Sequence, residues 1–218
     1  MDQADNGSGI DGQALPLLHE SAPDFHARTT QGERGLEDYR GRWLIFFAHP
    51  ADFTPVCTSE FLAFANNYDR FQAIGCDLLG LSVDSLFAHI AWLDSIERSF
   101  GVRVPFPIVE DPSMVIARAY GMLHPGAHTS ATVRATFVID PAGIIRAITW
   151  YPMSIGRSVE ELLRLVTALQ TSDAQEVFTP EGWRPGEPIL HPPALTLPEA
   201  HARVGGGAWY YRLGKARG

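Results

Sequence analysis

The chain of 218 residues is 45% hydrophobic and 19% charged, a composition typical of a globular protein with a substantial core. Its formal net charge of −8 and the lack of a basic block argue against a nucleic-acid-binding surface. The polar start MDQADNGSGIDGQ is unlike a signal peptide, and no stretch reaches the ~18 apolar residues of a membrane span, so we expect a cytoplasmic protein with neither membrane nor nucleic acid as partner.

The first half of the chain predicts a strand–helix–strand unit. Residues 1–20 have few anchoring aromatics and are predicted to be a flexible leader to a domain over residues 21–172. The apolar run WLIFFA, residues 43–48, is typical of a strand buried on both faces. Aromatic residues at spacings of three and four then predict a helix over 58–71, and DLLGLSVD, residues 77–84, predicts a second buried strand. This order indicates a right-handed parallel βαβ unit.

The remaining elements complete an α/β domain. We predict a second amphipathic helix over residues 85–101, a short strand in FPIVED and a helix that opens on Pro112. RATFVID and IIRAITWY flank the turn sequence DPAG and predict an antiparallel hairpin. A third amphipathic helix follows over 158–170. The segment 173–218 is rich in Pro and Gly, which predicts a C-terminal extension without long regular elements. We expect this extension to pack against another protein surface, such as that of a second subunit.

Cys57 lies in the stretch HPADFTPVCTSE, after the first buried strand and at the start of the predicted helix. The unpaired backbone N–H groups and the dipole of a helix start favour an anion, so the thiolate form is stabilised there. Thr54 and Thr58 bring hydroxyl groups near the sulfur, and Pro50 and Pro55 fix the shape of the loop. This position favours a reactive thiol over an inert buried one.

A metal site is the rival interpretation of Cys57. The nearest possible co-ligands in the sequence are His49 and Asp52, and no CxxC or HxxxH spacing accompanies them. We therefore expect no metal.

Cys76, the second cysteine, is separated from Cys57 by the whole predicted helix. A helix over residues 58–71 spans about 20 Å at ~1.5 Å per residue. A disulfide requires Cα atoms within about 7 Å. We interpret Cys76 as a small core residue.

Pro50-x-x-x-Thr54-x-x-Cys57 matches the PxxxTxxC motif of the peroxiredoxins of the AhpC/TSA family, and HPADFTPVCTSE resembles their one-cysteine (1-Cys) subgroup. The resemblance continues through LLGLSVDS, FPIVED, RATFVIDPAGIIRAITWYP, GRSVEELLRLVTALQ and TPEGWRPGEPILHPP, about residues 20–215 in all. It implies an α/β, thioredoxin-like fold whose central mixed sheet is flanked by helices. The C-terminal extension, residues 173–218, would be a dimerisation arm, so the protein is expected to be a homodimer or a higher oligomer of dimers.

The resemblance implies a thiol-dependent peroxidase that reduces hydrogen peroxide and organic hydroperoxides in antioxidant defence and redox homeostasis. No cofactor is implied. Cys57 would be the peroxidatic cysteine, which is oxidised to a sulfenic acid. Thr54 would hydrogen-bond the thiolate and the peroxide, and Pro50 would shield the sulfur and close the pocket.

Four further residues are assigned on the same resemblance. Arg134, at the start of RATFVID, matches the family's active-site arginine, whose guanidinium can donate to both thiolate and peroxide. His49 is a candidate for the substrate pocket or for proton exchange, with a hydrogen-bonded loop histidine as the alternative. Glu60 and Arg157 are interpreted as partners that hold the arginine in place.

The position of the second thiol distinguishes the subgroups of the family. Two-cysteine members place a resolving cysteine in the C-terminal region or five residues beyond the peroxidatic one. Here no cysteine follows Cys76, and the latter position is Leu62. The expected partner is therefore an external thiol reductant: glutathione, a thioredoxin-like protein or a small thiol.

Two other functions use the same activated thiol and stay open. A redox sensor or holdase would signal through oxidation of Cys57 without turnover. A thiol-bearing binding domain would carry out no peroxide chemistry. Turnover with a supplied thiol separates the peroxidase from both.

Overall fold

The computed structural model describes residues 15–123, 131–203 and 208–216. The chain divides into two compact units, Met1–Val159 and Glu160–Gly218. Most of the predicted leader, residues 1–14, lies outside the described residues.

A seven-stranded mixed sheet forms the frame of the first unit. Its strands are β1 (His26–Thr29), β2 (Gly32–Gly35), β3 (Trp43–Ala48), β4 (Cys76–Ser82), β5 (Ile108–Glu110), β6 (Arg134–Ile139) and β7 (Ile145–Tyr151). Their order across the sheet is β2-β1-β5-β4-β3-β6-β7. β3, β4 and β5 run parallel to one another, and the remaining pairs are antiparallel. The predicted mixed sheet, the parallel βαβ unit and the hairpin are confirmed.

The helices described in this unit are α1 (Pro55–Asn66), α2 (Tyr68–Ala73), α3 (Leu86–Phe100) and α4 (Val115–Ala119). The single helix predicted over 58–71 is wrong, because the chain starts its helix earlier and interrupts it at Asn67. The Asn67 side chain donates to the carbonyl of Ala63 at 2.9 Å, a local bond of the kind that competes with helix continuation. In α3 the predicted ends hold: the Ser85 side chain caps its start, and Gly101 ends it in a left-handed conformation with φ 67°.

Helix α4 begins at Val115, whereas the sequence pattern predicted that it opens on Pro112. The carboxylate of Asp111 accepts the backbone N–H groups of Val115 and Ala117 at 3.0 and 2.7 Å. Asp111 thus caps the helix from a position before the proline, and the chain reaches it through Met114 with a φ of 60°.

Strand β3 is buried along its whole length, as the continuous apolar run predicted. Phe46 stacks on Phe25 and meets Tyr120 edge-on, with ring centroids 5.2 and 4.9 Å apart. Phe47 stacks on Phe64 of α1, with centroids 4.6 Å apart. Because successive side chains of a strand point to opposite faces, β3 carries hydrophobic core on both sides of the sheet.

The turn between β6 and β7 is held by Asp140, whose Oδ1 accepts the N–H groups of Ala142 and Ile144 at 2.9 and 3.0 Å. The hairpin also anchors the start of the described chain, since His19 donates its backbone N–H to the carbonyl of Ile145 at 2.8 Å.

The second unit contains the rest of α5 (Val159–Gln175), which extends five residues beyond its predicted end at residue 170. The short elements β8 (Ile189–Leu190), α6 (Leu197–Ala202) and β9 (Leu213–Gly214) follow, and β8 pairs antiparallel with β9. Trp183 is 1% exposed and packs with Ala168, Val177 and Ile189. No helix in the described part of the chain is long and apolar enough to cross a membrane.

Candidate active site

Cys57 lies in the first turn of α1 and is fully buried. Thr54 precedes the helix with an extended backbone, and Pro55 occupies its first position, where a missing N–H removes no helical hydrogen bond. Cys57 thus lies at a helix start, as the sequence predicted, where unpaired N–H groups and the helix dipole favour an anion.

Arg134, the first residue of β6, places its guanidinium beside this sulfur. Its Nη1 lies 3.3 Å from Cys57 Sγ, and the side chain is 2% exposed. The strand order explains the approach: β6 runs antiparallel to β3 with Thr136 opposite Phe47, so the start of β6 lies at the end of β3. The structure thus brings together two residues that are 77 positions apart.

Glu60 and the arginines form a buried network around Cys57. Glu60 Oε2 accepts from Arg134 Nη1 at 2.7 Å and from Arg157 Nη2 at 2.8 Å. Its Oε1 accepts the backbone N–H and Nε of Arg157 at 2.7 and 2.8 Å. Arg134 also donates from Nε and Nη2 to the carbonyl of Met153, at 3.0 and 2.8 Å.

The three charged side chains of this network carry one net positive charge beside Cys57. Arg134 and Arg157 bring two positive charges, and Glu60 supplies one negative charge. Burial alone would raise the pKa of Glu60, but the hydrogen bonds and charge of Arg157, with a further contribution from Arg134, hold that pKa below its usual range. The buried sulfur therefore lies beside a network that holds two positive charges and one negative charge.

Pro50 and Thr54 lie in the loop between β3 and α1, before Cys57 in the chain. The Thr54 hydroxyl donates to the carbonyl of Ala51 at 2.9 Å, so its proton is committed and its lone pairs can accept a hydrogen bond. Pro50 is buried. Thr58, which the sequence also placed near the sulfur, donates its hydroxyl to the carbonyl of Thr54 at 2.8 Å.

His49 is fully buried and makes its hydrogen bond to Asp52. Its Nε2 lies 2.7 Å from Asp52 Oδ1, and His89 Nδ1 of α3 lies 2.7 Å from Asp52 Oδ2. Sequence reasoning missed His89. The available signal was its position on the buried face of α3, three residues before the buried Trp92.

Three side chains that could hold a metal ion come together within the described part of the chain: His49, Asp52 and His89. Cys57 is not one of these three residues. Within the described residues, no group of possible metal ligands includes Cys57, so the interpretation of this cysteine as a metal ligand is not supported. Both carboxylate oxygens of Asp52 are bound to histidine nitrogens at hydrogen-bond distance.

Cys76 is a free thiol buried at the start of β4. Burial raises its pKa to about 12, so it stays protonated at neutral pH. Its environment is that of a core residue, as predicted.

An apolar cavity of about 470 Å³ opens between α1 and α3. Thr54 and Thr58 line one side, and Leu62, Trp92 and Phe100 line the apolar remainder. The cavity therefore reaches the residue that precedes α1.

Two family models match the chain. The AhpC/TSA family matches residues 18–148, and the C-terminal domain of 1-Cys peroxiredoxin matches residues 168–207. A peroxiredoxin of Aquifex aeolicus is 47% identical over 213 residues, which cover 90% of this chain and 96% of that protein. Peroxiredoxin 2 of Caldanaerobacter subterraneus is 47% identical over 190 residues, 87% of this chain and 86% of its own.

Solved structures of peroxiredoxins also match this chain. A yeast mitochondrial 1-Cys peroxiredoxin, studied for its thiol resolving mechanism via glutathione/thioredoxin systems, matches with a TM-score of 0.83 and 36% identity, over 92% of this chain and 100% of its own. A cysteine-to-serine mutant of peroxiredoxin 6 from Arenicola marina matches with a TM-score of 0.82 and 31% identity. The match covers 92% of this chain and 98% of that protein's chain. The thioredoxin-like fold expected from the sequence is confirmed by these structures.

Proposed function

Because the chain belongs to the AhpC/TSA family and is a peroxiredoxin of the 1-Cys type, a thiol peroxidase, we propose that it reduces hydrogen peroxide and organic hydroperoxides at Cys57 and that an external thiol resolves the oxidised cysteine. The observation that carries the proposal is the 3.3 Å approach of Arg134 Nη1 to Cys57 Sγ inside a buried ion network with one net positive charge. We propose antioxidant defence and redox homeostasis as the corresponding cellular role.

In the chemical step the Cys57 thiolate attacks one peroxide oxygen. An S–O bond forms, the O–O bond breaks, and the second oxygen leaves as water or an alcohol after it takes up a proton. Arg134 can donate to the sulfur and to the oxygen on which negative charge develops, while Glu60 and Met153 keep the guanidinium in place.

Pro50 and Thr54 complete the proposed pocket. The Thr54 oxygen, whose own proton goes to Ala51, can accept the O–H of a hydroperoxide and orient it for attack. The buried Pro50 keeps water from the sulfur. The apolar cavity that Thr54 lines gives room for the organic part of a hydroperoxide, which supports organic hydroperoxides as substrates.

Resolution needs a thiol from outside the chain. Cys76 is buried and protonated, and the sequence holds only two cysteines. One external thiol would displace water from the sulfenic acid to form a mixed disulfide, and a second thiol would release Cys57. Glutathione, a thioredoxin-like protein and a small thiol are the candidates, and the glutathione/thioredoxin systems of the yeast relative support the first two.

The test is peroxide consumption with a panel of thiol reductants. We expect Cys57→Ser to abolish consumption, because no other thiolate is available to attack. The control Cys76→Ala keeps the first turnover at the wild-type rate, because Cys76 takes no part in it. Equal loss in both variants would contradict the 1-Cys assignment. Rapid sulfenic acid formation without turnover with any thiol would point instead to a redox sensor.

We also propose that the protein is a cytoplasmic homodimer or a higher oligomer of dimers, with residues 173–218 as the dimerisation arm of a peroxidase domain over 21–172. Strand β7 ends the sheet on one side and leaves Trp150 48% exposed. Two aromatic residues of the arm, Tyr210 and Tyr211, are 65% and 54% exposed. Such surfaces are typical of subunit contacts. Two free cysteines suit the reducing cytoplasm.

A further inference from the structure

We propose that Asp52 is a positioning residue for the loop that presents Cys57, and that it acts through two buried histidines, His49 and His89. The inference rests on the proposed peroxidase function, because the position of the loop matters only if a peroxide must be aligned with the sulfur. Asp52 touches neither reacting atom in this scheme, and its effect passes through the shape of the loop.

Asp52 is held from three directions. Its Oδ1 and Oδ2 lie 2.7 Å from His49 Nε2 and His89 Nδ1, and its backbone N–H donates to Asp84 Oδ2 at 2.9 Å. His49 follows β3, Asp84 lies between β4 and α3, and His89 belongs to α3. One side chain therefore ties the loop to the end of the strand and to a neighbouring helix.

The protonation state of this trio follows from its surroundings. Burial alone would raise the pKa of Asp52, but the hydrogen bonds from His49 and His89 outweigh it and lower that pKa, so the side chain is a carboxylate that only accepts. Each histidine must then donate from the nitrogen that faces Asp52. The opposite nitrogens, His49 Nδ1 and His89 Nε2, have no hydrogen-bond partner within the described residues.

The geometry of the trio leaves each ring with one hydrogen bond, to Asp52. Within the described residues, no acceptor faces the second ring nitrogen of His49 or of His89. Burial also lowers the pKa of His49. The carboxylate of Asp84, near the trio, accepts the backbone N–H of Asp52 and the hydroxyl of Ser82, at 2.9 Å each. The trio is thus a buried structural anchor in which one carboxylate accepts from two ring N–H donors.

The loop requires such an anchor because of the residue that follows. Phe53 has a φ of 56°, a left-handed conformation that a bulky side chain rarely adopts, and its ring is 60% exposed. Packing of that ring cannot compensate the strain. Thr54 comes next and leads into the first turn of α1, where Cys57 lies. If Asp52 is released, Phe53 can relax, and Thr54 then moves relative to the sulfur.

The decisive experiment compares two reactions of Cys57 in the variant Asp52→Asn. Reaction with hydrogen peroxide needs an aligned peroxide, whereas alkylation by iodoacetamide needs only the thiolate. An asparagine cannot accept from both histidines, so one hydrogen bond is lost or requires a change of tautomer. We expect the second-order rate constant for peroxide to fall 10- to 100-fold, as for a reacting group displaced by about 1 Å. The alkylation rate should stay within about twofold of wild type.

The helix side of the trio provides a rescue test. His89→Leu removes the donor and should slow the peroxide reaction as Asp52→Asn does. His89→Asn places an amide N–H near the position of Nδ1 and should restore the rate to within about threefold of wild type. Asp94→Asn is the matched control, since that carboxylate is 56% exposed on the same helix and makes its ion pair with Arg98. It should change neither reaction.

Several outcomes would overturn the proposal. The first is an Asp52→Asn variant that reacts with peroxide at the wild-type rate. The second is equal slowing of the two reactions, because that would place the effect on the thiolate itself. One equivalent of tightly bound zinc that is lost in Asp52→Asn would make the trio a metal site instead. If Asp52→Asn does not fold, the pair His89→Leu and His89→Asn decides alone. Failure of wild type to turn over would contradict the proposed function, not this inference.

Discussion

At the scale of single residues, Glu60 organises the charge of the site. It accepts from Arg134 and Arg157, which lie 74 and 97 positions further along the chain. All three side chains are at most 2% exposed. A buried ion network of this kind is costly to break, because removal of one charge leaves another without compensation.

The variant Glu60→Gln tests this role. We expect it to lose about 3 kcal/mol of unfolding free energy at pH 7 and at least about tenfold in peroxide rate, because two buried arginines lose their counter-charge. Urea unfolding and stopped-flow measurements give the two values. Glu161→Gln is the control: its carboxylate is 49% exposed and pairs with Arg164, so a loss below about 1 kcal/mol is expected.

The stability difference between wild type and Glu60→Gln is also expected to depend on pH. The pKa of Glu60 is lower in the folded protein than in the unfolded chain, so its contribution is complete above the unfolded value of about 4.3 and is lost as the pH falls towards the folded value. The stability difference between wild type and Glu60→Gln should therefore shrink below about pH 4.3. A constant difference down to pH 3 would mean that the charge of Glu60 does not carry the stabilisation.

At the scale of secondary-structure elements, boundaries depend on contacts that periodicity does not report. The pattern of aromatics predicted one helix over 58–71, but the side chain of Asn67 bonds back to the preceding turn and divides it. Asp111 caps α4 from before a proline that itself signals a helix start. Where the boundary residue acts through its own backbone preference, as at Gly101, the sequence pattern was sufficient.

Gly101 provides a prediction at this scale. An added Cβ would meet nothing within 4 Å, so only the left-handed φ of 67° opposes a side chain. We expect Gly101→Ala to lower the unfolding free energy by about 1–2 kcal/mol with an unchanged peroxide rate. Gly101→Asn should lose less, because asparagine tolerates this conformation. Equal losses for the two variants, measured by thermal or urea unfolding, would contradict the backbone explanation.

At the scale of the whole molecule, the outer strand β7 connects the proposed dimer to the site. Trp150 lies on this strand and is 48% exposed, and Met153, shortly after the strand, holds Arg134 through its carbonyl group. A subunit that pairs with this edge would cover the segment that positions Arg134. The proposed dimer would therefore affect the proposed site as well as the stability of the fold.

The corresponding prediction concerns the variant Trp150→Glu. We expect sedimentation to show a dimer for wild type and at least a tenfold weaker dimer for the variant, because an acid replaces a large apolar contact at the interface. Val115→Glu is the control, an equivalent change at a residue of α4 that is 64% exposed. Wild type that sediments as a monomer, or equal weakening in both variants, would contradict the proposed interface.

The sequence by itself determined the buried strand β3, the parallel βαβ unit, the hairpin and the position of Cys57 at a helix start, because each depends on neighbouring residues. The spacing of Pro50, Thr54 and Cys57 also sufficed to indicate the family. The family resemblance also implied that Glu60 and Arg157 hold Arg134. Only the tertiary structure shows that one carboxylate accepts from both arginines, and that Asp52 contacts His89, 37 positions away. Those meetings depend on the order of strands in the sheet, which places β3 between β4 and β6, and local patterns carry no record of that order.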